Sequence, residues 1–382
     1  MRKTPLVLLA VLASVVTGCS NGGSSDSGSP EPAAPSSAAP ATPVQRDCDT
    51  EFLAKFTPRQ KLAQLLTVGV SSAADAENVV RTEQIGGIFV GSFTDRALLA
   101  DGEIADVKAA SKIPLMVTID EEGGRVSRVK DLIGAAPSAR ETAKTMSPDE
   151  FYEATVARGR KLKDLGITVD FAPDVDVSSE PDDDVIGDRS FSDDPEIVTE
   201  YARAYIRAMT EVGLGSVMKH FPGHGSASGD SHQGAVRTPP LSELIGSDLL
   251  PYRHLIGTGA AVMVGHLDVP GLTTPEVPAS ISPETMALLR SGTGYGAAPF
   301  DGVIFTDDLS GMKAITARMD IADAVQAALA AGADNALWIN TSKVTEVLDQ
   351  LEQALASGAL SAERIDDSVL RVAKYKGIST QC

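Results

Sequence analysis

Leu115-Met116-Val117-Thr118-Ile119-Asp120, followed at once by Glu121-Glu122-Gly123-Gly124-Arg125, is the stretch on which the fold turns. A short apolar run with β-branched members ends abruptly in charged side chains, the pattern of a buried parallel strand that delivers polar groups to one edge of a sheet. Comparable runs recur at 65–70, 87–90, 115–120, 169–175, 216–220, 261–266, 303–307 and 336–339. Between them lie longer stretches with helical spacing, at 150–165, 195–212, 241–256, 318–331 and 343–357, the last two rich in alanine. Eight strands alternating with helices predict a single (β/α)8 TIM-type barrel. A doubly wound open sheet is the alternative, but its dinucleotide fingerprint is missing: Gly223-His224-Gly225 is separated from Gly229 by one residue too many.

A barrel of this kind carries its active site on the loops leaving the C-terminal ends of the strands. Those are the places where polar residues gather. The third strand runs into Asp120–Arg125, the fourth into Asp174 and Asp176, and the fifth into the stretch KHFPGHG at 219–225. The sixth runs into His266 and Asp268, the seventh into Asp307 and Asp308. One polar loop means little, whereas five in the same register point to a site.

The chain ends add a compartment. Arg2 and Lys3 precede an uncharged apolar run from Leu6 to Val16, which closes on Val16-Thr17-Gly18-Cys19. Basic-then-apolar order in so short a run is an export signal rather than a membrane span, so residues 1–18 are set aside from the fold. The small residues before Cys19 resemble a lipobox, which predicts lipidation (palmitate) of Cys19 and anchorage at the outer face of the cell membrane; an ordinary cleaved signal is the alternative. Residues 19–45 are almost wholly Ser, Gly, Pro, Ala, Thr and Asn, too polar to bury a core, and are expected to form a disordered tether. Residues 46–382 then form one catalytic-sized domain.

Hydrophobic residues make up 43% of the chain, enough for a packed core, and the net charge is −19. So acidic a surface repels phosphate backbones and anionic headgroups, which argues against nucleic acid as a partner and leaves the anchor, not charge, to hold the protein at a membrane. The domain is expected to be a monomer. Of the three cysteines, Cys48 and Cys382 stand at the two ends of the domain. In an oxidising compartment a disulfide closing the barrel is expected, with two free thiols as the alternative.

Several blocks, in order, carry a resemblance. Ile119-Asp120-Glu121-Glu122-Gly123-Gly124-Arg125-Val126 comes first and Ile186-Gly187-Asp188-Arg189-Ser190-Phe191 second. KHFPGHG with Gly229-Asp230-Ser231-His232 and then Phe305-Thr306-Asp307-Asp308-Leu309-Ser310 follow. Together they resemble the glycoside hydrolase family 3 β-N-acetylglucosaminidases of the NagZ type, over roughly 60–340. The resemblance implies removal of terminal N-acetylglucosamine with retention, Asp307 as nucleophile, and an Asp230–His232 pair as general acid/base. It implies Asp120, Arg189, Lys219 and His220 as sugar-binding residues, and no metal or other cofactor.

The residues themselves suit that chemistry. Retention requires a carboxylate to attack the anomeric carbon and a second group to protonate the leaving oxygen and later deprotonate water. Asp307 ends a strand, where side chains are held rigidly; Asp308 competes with it locally, although neighbouring strand residues point to opposite sides. Asp230, two residues before His232, can fix the tautomer of its ring. Arg125 reads equally as a pocket residue or as a structural ion-pair partner, His224 as an organiser of the glycine-rich loop, and Asp174 and Asp176 as scaffold.

Other readings have specific weaknesses. A metal cluster of His220, His224, Asp230 and His232 would need ligands from the first strand, which has none. A serine hydrolase is opposed by Ala227 at the centre of Gly225-Ser226-Ala227-Ser228-Gly229. A family 3 β-glucosidase of other specificity and a non-catalytic sugar-binding lipoprotein remain as alternatives. One departure concerns loop shape: the NagZ-type motif reads Asp-Asp-Leu-Ser-Met, whereas Gly311 intervenes here before Met312. Another is export, since members in Gram-negative bacteria are cytoplasmic; an exported enzyme would meet cell-wall fragments, which makes muropeptides the expected substrate.

Overall fold

Eight short parallel strands build the centre of the molecule: β1 Leu66–Gly69, β2 Gly87–Val90, β3 Met116–Ile119, β4 Val169–Asp170, β5 Gly215–Phe221, β6 Ala261–Val264, β7 Ile304–Thr306 and β8 Ala336–Trp338. The computed structural model describes residues 48–380, which belong to a unit spanning Arg46–Cys382. The export signal, the tether, Cys19 and Cys382 lie outside the described residues. Each strand pairs with its neighbour in sequence, β1 pairs with β8 (Leu66 opposite Ala336), and a bridge between Phe305 and Asn335 joins β7 to β8. The sheet thus closes on itself, and the (β/α)8 barrel expected from the strand count is the fold found.

The principal helices are α1 Ala73–Glu83, α2 Ile104–Ala109, α3 Pro148–Asp164, α4 Pro195–Val212, α5 Leu249–Leu255, α6 Pro283–Ser291, α7 Ile321–Ala331, α8 Val344–Ser357 and α9 Ala362–Tyr375. Their limits follow local chemistry. Ser147 and Glu150 form a reciprocal capping box at the start of α3, and Pro148 occupies a position where no N–H is needed. Asp194 caps α4, which ends at Gly213 in the left-handed conformation.

The core is the barrel interior and the layer between strands and helices. Phe171 stacks on Phe89 at 5.8 Å and meets Phe305 edge-on at 5.4 Å, so aromatic rings from three sides fill the interior. Below them, Tyr375 of α9 donates to the Ser216 carbonyl at 2.9 Å. The Lys376 ammonium donates to Gln64 at 2.7 Å, and burial lowers its pKa to about 7. The bottom of the barrel is therefore plugged, and access is from the C-terminal ends of the strands.

Several predicted limits are corrected. The fourth strand, expected over 169–175, pairs regularly only over two residues, because Pro173 has no N–H to give the ladder; the chain nevertheless continues beside β5, with the Val175 N–H on the Lys219 carbonyl at 2.8 Å. The sixth strand, expected over 261–266, stops at Val264. The helix expected over 241–256 is two, Leu241–Leu244 and Leu249–Leu255, separated at Gly246. The helix expected from 318 starts at Ile321, where the Asp320 side chain accepts from the Asp323 N–H.

Cys48 opens a short helix, Cys48–Leu53, and is disulfide-bonded. Asp49 lines one surface depression together with Ile378, Ser379 and Thr380, so the two ends of the domain approach each other. Among the described residues no helix is long and apolar enough to cross a membrane.

Candidate active site

The loop after β3 is folded around one of its three acids. The buried Glu121 carboxylate accepts the backbone N–H groups of Arg128 (2.6 Å) and Val129 (3.0 Å), takes the Ser127 hydroxyl, and pairs with Arg158. Gly123 and Gly124 have φ of 94° and 54°, and a Cβ on either would meet the 137–138 backbone or side chain within 2.7 Å. Only glycine fits there. With Glu121 turned inward, Asp120 and Glu122 face the centre of the barrel mouth.

There they hold Lys219, near the C-terminal end of β5, whose ammonium lies 3.0 Å from Asp120 and 2.5 Å from Glu122. Burial opposes its charge, but the two carboxylates outweigh burial and raise its pKa above the usual lysine value. Arg189 grips Glu122 through two parallel bonds of 2.9 Å and reaches Asp174 at 3.5 Å. Arg128 approaches Asp120 from the other side at 3.2 Å. The result is an alternating lattice of charges whose members have fixed positions, suited to gripping sugar hydroxyls.

His220 donates through Nδ1 to the Asp176 carboxylate at 2.7 Å, which also receives the backbone N–H groups of His220 (3.2 Å) and His224 (2.6 Å). Asp176 holds this loop from beneath, and Asp174 accepts the Asp176 N–H at 2.9 Å and lies 3.5 Å from Arg189. His224 organises the same loop, and burial holds its pKa below the ordinary imidazole value. Arg125 proves structural: it pairs with Asp188 at 3.0 Å and donates to the carbonyls of Val185 and Ile186, pinning the loop that presents Arg189.

Asp307 follows β7 directly and is buried, with Oδ1 accepting the Asp308 N–H at 2.8 Å. Burial alone would raise its pKa; His220, His266, the Asp308 N–H and Lys219 outweigh burial and lower it below the ordinary aspartate value. Asp308 also lines the cavity, contrary to the expectation that alternation would hide it, because the strand ends at Thr306 and its period no longer applies. Chemistry separates the two acids. Asp308 is committed to the Ser310 N–H and hydroxyl at 2.8 and 2.9 Å, and burial raises its pKa, whereas Asp307 is held ionised. His266, singled out as a strand-end polar group, sits beneath them, with Nε2 2.8 Å from the Asp308 carbonyl and Nδ1 2.7 Å from Ser280.

One cavity of about 360 Å³ collects the predicted residues: Asp120, Arg189, Lys219, His220, His232 and Asp307 all line it. Asp230 stands behind His232, with Oδ1 2.8 Å from the ring Nδ1 and 2.9 Å from the His232 N–H. Their loop is fastened to the one after β7 by the Ala314 N–H on the Ser231 carbonyl (3.1 Å) and the Ser231 hydroxyl on the Met312 sulfur (3.3 Å). Met312 lines the cavity even though Gly311 displaces it by one position. Sequence reasoning missed Glu122, Arg128 and Phe93 in this wall. Glu122 carried a usable signal, its two-residue spacing from Asp120.

Among the described residues the group close enough to share an ion is Asp174, Asp176 and His220, whose ligand atoms lie within 4.8 Å of one another. It does not include Asp230 or His232, and Arg189 already contacts Asp174. The metal cluster considered from the sequence is therefore not assembled.

A closed parallel barrel whose C-terminal mouth holds an ionised aspartate, a carboxylate-oriented histidine and a wall of paired charges has the make-up of a glycoside-cleaving enzyme. Residues 57–375 match the family described as "Glycosyl hydrolase family 3 N terminal domain", and the chain belongs to that family. Beta-hexosaminidase LpqI of Mycobacterium tuberculosis is 52% identical over 99% of this chain and 98% of its own length. The solved M. tuberculosis LpqI structure superimposes with a TM-score of 0.85 at 54% identity, covering 87% of this chain and 97% of that one. A family 3 β-N-acetylglucosaminidase from Paenibacillus sp. superimposes with a TM-score of 0.78 at 31% identity, covering 84% of this chain and 62% of that one.

Proposed function

We propose that this glycosidase is a β-hexosaminidase that acts as a retaining exo-β-N-acetylglucosaminidase, and that its natural substrates are peptidoglycan fragments. The observation that carries the reading is the pairing, in one cavity, of an Asp307 held ionised with a His232 ring held by Asp230. The similarity to proteins named beta-hexosaminidase and β-N-acetylglucosaminidase supports the sugar.

In the first step Asp307 attacks the anomeric carbon while His232 gives a proton to the departing oxygen, leaving a glycosyl-enzyme ester. In the second, His232 takes a proton from water, which attacks the same carbon and frees Asp307. Asp230 accepts from Nδ1 and leaves Nε2 as the atom that moves the proton. Asp120, Lys219, Arg189 and His220 hold the sugar hydroxyls. The export signal and Cys19 support a lipid anchor at the outer face of the membrane, where the enzyme would meet wall fragments.

Hydrolysis of a chromogenic N-acetyl-β-glucosaminide by the protein, by Asp307→Ala and by His232→Ala tests this. Activity in the parent and near-complete loss in Asp307→Ala are expected, with azide restoring turnover and yielding the glycosyl azide of inverted configuration. Faster cleavage of a β-glucoside than of the N-acetylglucosaminide would move the enzyme to the β-glucosidase alternative, and a folded but inactive parent would leave a sugar-binding protein.

A further inference from the structure

Phe93 and Ile197 are the large hydrophobic side chains exposed among the described residues, and Phe93, at 44% exposure, is the one that lines the active-site cavity. Its setting is rigid. It sits in the turn after β2, where the Thr94 N–H returns to the Gly91 carbonyl at 3.2 Å. The Thr94 hydroxyl donates to the Val70 carbonyl at 2.6 Å and accepts the Gly91 N–H at 3.0 Å. The ring lies against Gly91, where an added Cβ would come within 2.3 Å of it, and its centroid is 6.4 Å from that of Phe89. A lone exposed apolar side chain is ordinary on a protein surface; what sets Phe93 apart is that its half-exposed ring lines the active-site cavity, where aromatic walls contact ligands.

Depth within the cavity says which part of the ligand. Asp307, Lys219 and His220 are each below one-tenth exposed and form the floor, whereas Phe93 and the His232 side chain, at 63%, stand at the rim. Around the closed barrel β2 lies opposite β6, and β5 and β7, which flank β6, carry the His232 loop and Asp307. Phe93 therefore faces the proton donor across the mouth, on the path of the group that His232 protonates as it leaves. We infer that Phe93 is the stacking platform for the leaving-side group and sets its preference, and that the group is a pyranose ring that lays its C–H face on the aromatic face. Sugar hydroxyls stay in water at the rim, and the flat ring supplies contact at little entropic cost.

The inference rests on the proposed N-acetylglucosaminidase reading, and its test keeps the two apart. kcat/KM for the β-1,4-linked disaccharide of N-acetylglucosamine is measured in the parent, Phe93→Ala, Phe93→Leu and Phe93→Trp, beside the inhibition constant of free N-acetylglucosamine, which needs only the floor. About a tenfold loss of kcat/KM is expected in the Ala and Leu variants, carried mainly by KM. The inhibition constant should stay within about twofold, and Phe93→Trp should keep parental efficiency; Leu preserves the apolar packing on Gly91 and so controls for a collapsed turn. Unchanged disaccharide cleavage in Ala and Leu, or an inhibition constant that weakens in parallel, overturns the assignment of Phe93. A parent that cleaves no N-acetylglucosaminide overturns the reading of function instead.

Discussion

The carboxylate of Asp176 holds the imidazole of His220, 2.7 Å from Nδ1, deep beneath the floor of the cavity. Burial works against the charge on Asp176, but His220 and the backbone N–H of His224 outweigh burial and lower its pKa to about 2. Replacing Asp176 by Asn removes the charge and forces an N–H to face groups that now donate. We expect about 3 kcal/mol of lost stability and a fall in kcat of at least tenfold, read by denaturant unfolding and by steady-state kinetics. The parent's contribution from this group is complete above the unfolded aspartate value of 3.8 and is lost as pH falls through about 2. The variant should therefore show a shallower acid limb of stability between those values.

His232 and Asp230 should separate in their dependence on the leaving group. Removing the ring in His232→Ala should cost about 10² to 10⁴ in kcat/KM for a sugar leaving group and far less for a nitrophenolate, which departs without a proton. Asp230→Asn keeps the ring but weakens its support, so its loss on the sugar leaving group should be smaller than that of His232→Ala, and it too should spare the nitrophenolate. Equal losses on both leaving groups in His232→Ala would remove the histidine from the acid role.

How much of this could be read from the chain depended on whether the deciding physics was local. The 87–90 strand was legible because Gly87–Val90 is an apolar run buried on both faces. The 169–175 run looked equally strand-like, yet regular pairing covers only Val169–Asp170, because Pro173 has no N–H to give the ladder. Asp307 and His232 were legible as members of spaced motifs. Glu122 offered only its two-residue spacing from Asp120, a signal made usable once Glu121 is seen turned back onto Arg158, Ser127 and two backbone N–H groups. Phe93 carried no signal, because its importance lies in being left exposed, a property only the assembled barrel determines.

Asp170 behaves oppositely to Asp176. Buried behind the site, it accepts the Glu121 N–H at 2.9 Å and contacts the Tyr205 hydroxyl at 2.7 Å. Burial dominates and lifts its pKa to about 7. A raised folded value means that its contribution is fully present below 3.8 and is lost as pH rises through about 7. Asp170→Asn keeps both contacts without the titration. Its unfolding free energy should fall less than the parent's between pH 4 and 8, a difference of about 2 to 4 kcal/mol, measured by urea unfolding across that range; parallel curves would mean the carboxyl is already ionised at low pH.

Cys48 is disulfide-bonded, and the end of the domain that contains it lies beside Ile378–Thr380. We propose Cys382 as its partner. Alkylation of the non-reduced protein followed by mass analysis should find Cys48 and Cys382 in one linked pair of peptides, and Cys48→Ala should lower stability by about 2 to 5 kcal/mol. A free Cys382 thiol in the non-reduced protein would exclude the pairing.

Gly311 is where the chain departs from the motif it resembles, and the reason for glycine is space. A Cβ there would lie 2.3 Å from the Asp308 carboxylate and 3.1 Å from the Ile339 side chain. Asp308 has little freedom to yield, being held by the Ser310 N–H and hydroxyl. The strain of Gly311→Ala should therefore pass to Met312, whose sulfur receives the Ser231 hydroxyl and so fastens the loop that carries His232. We expect about 1 to 3 kcal/mol of destabilisation and a several-fold fall in kcat, with binding of free N-acetylglucosamine nearly unchanged because the floor is untouched. If kcat holds while stability falls, the clash is absorbed at Ile339 and the position of His232 does not depend on this loop. If neither changes, the close packing of Gly311 on Asp308 is not maintained in solution.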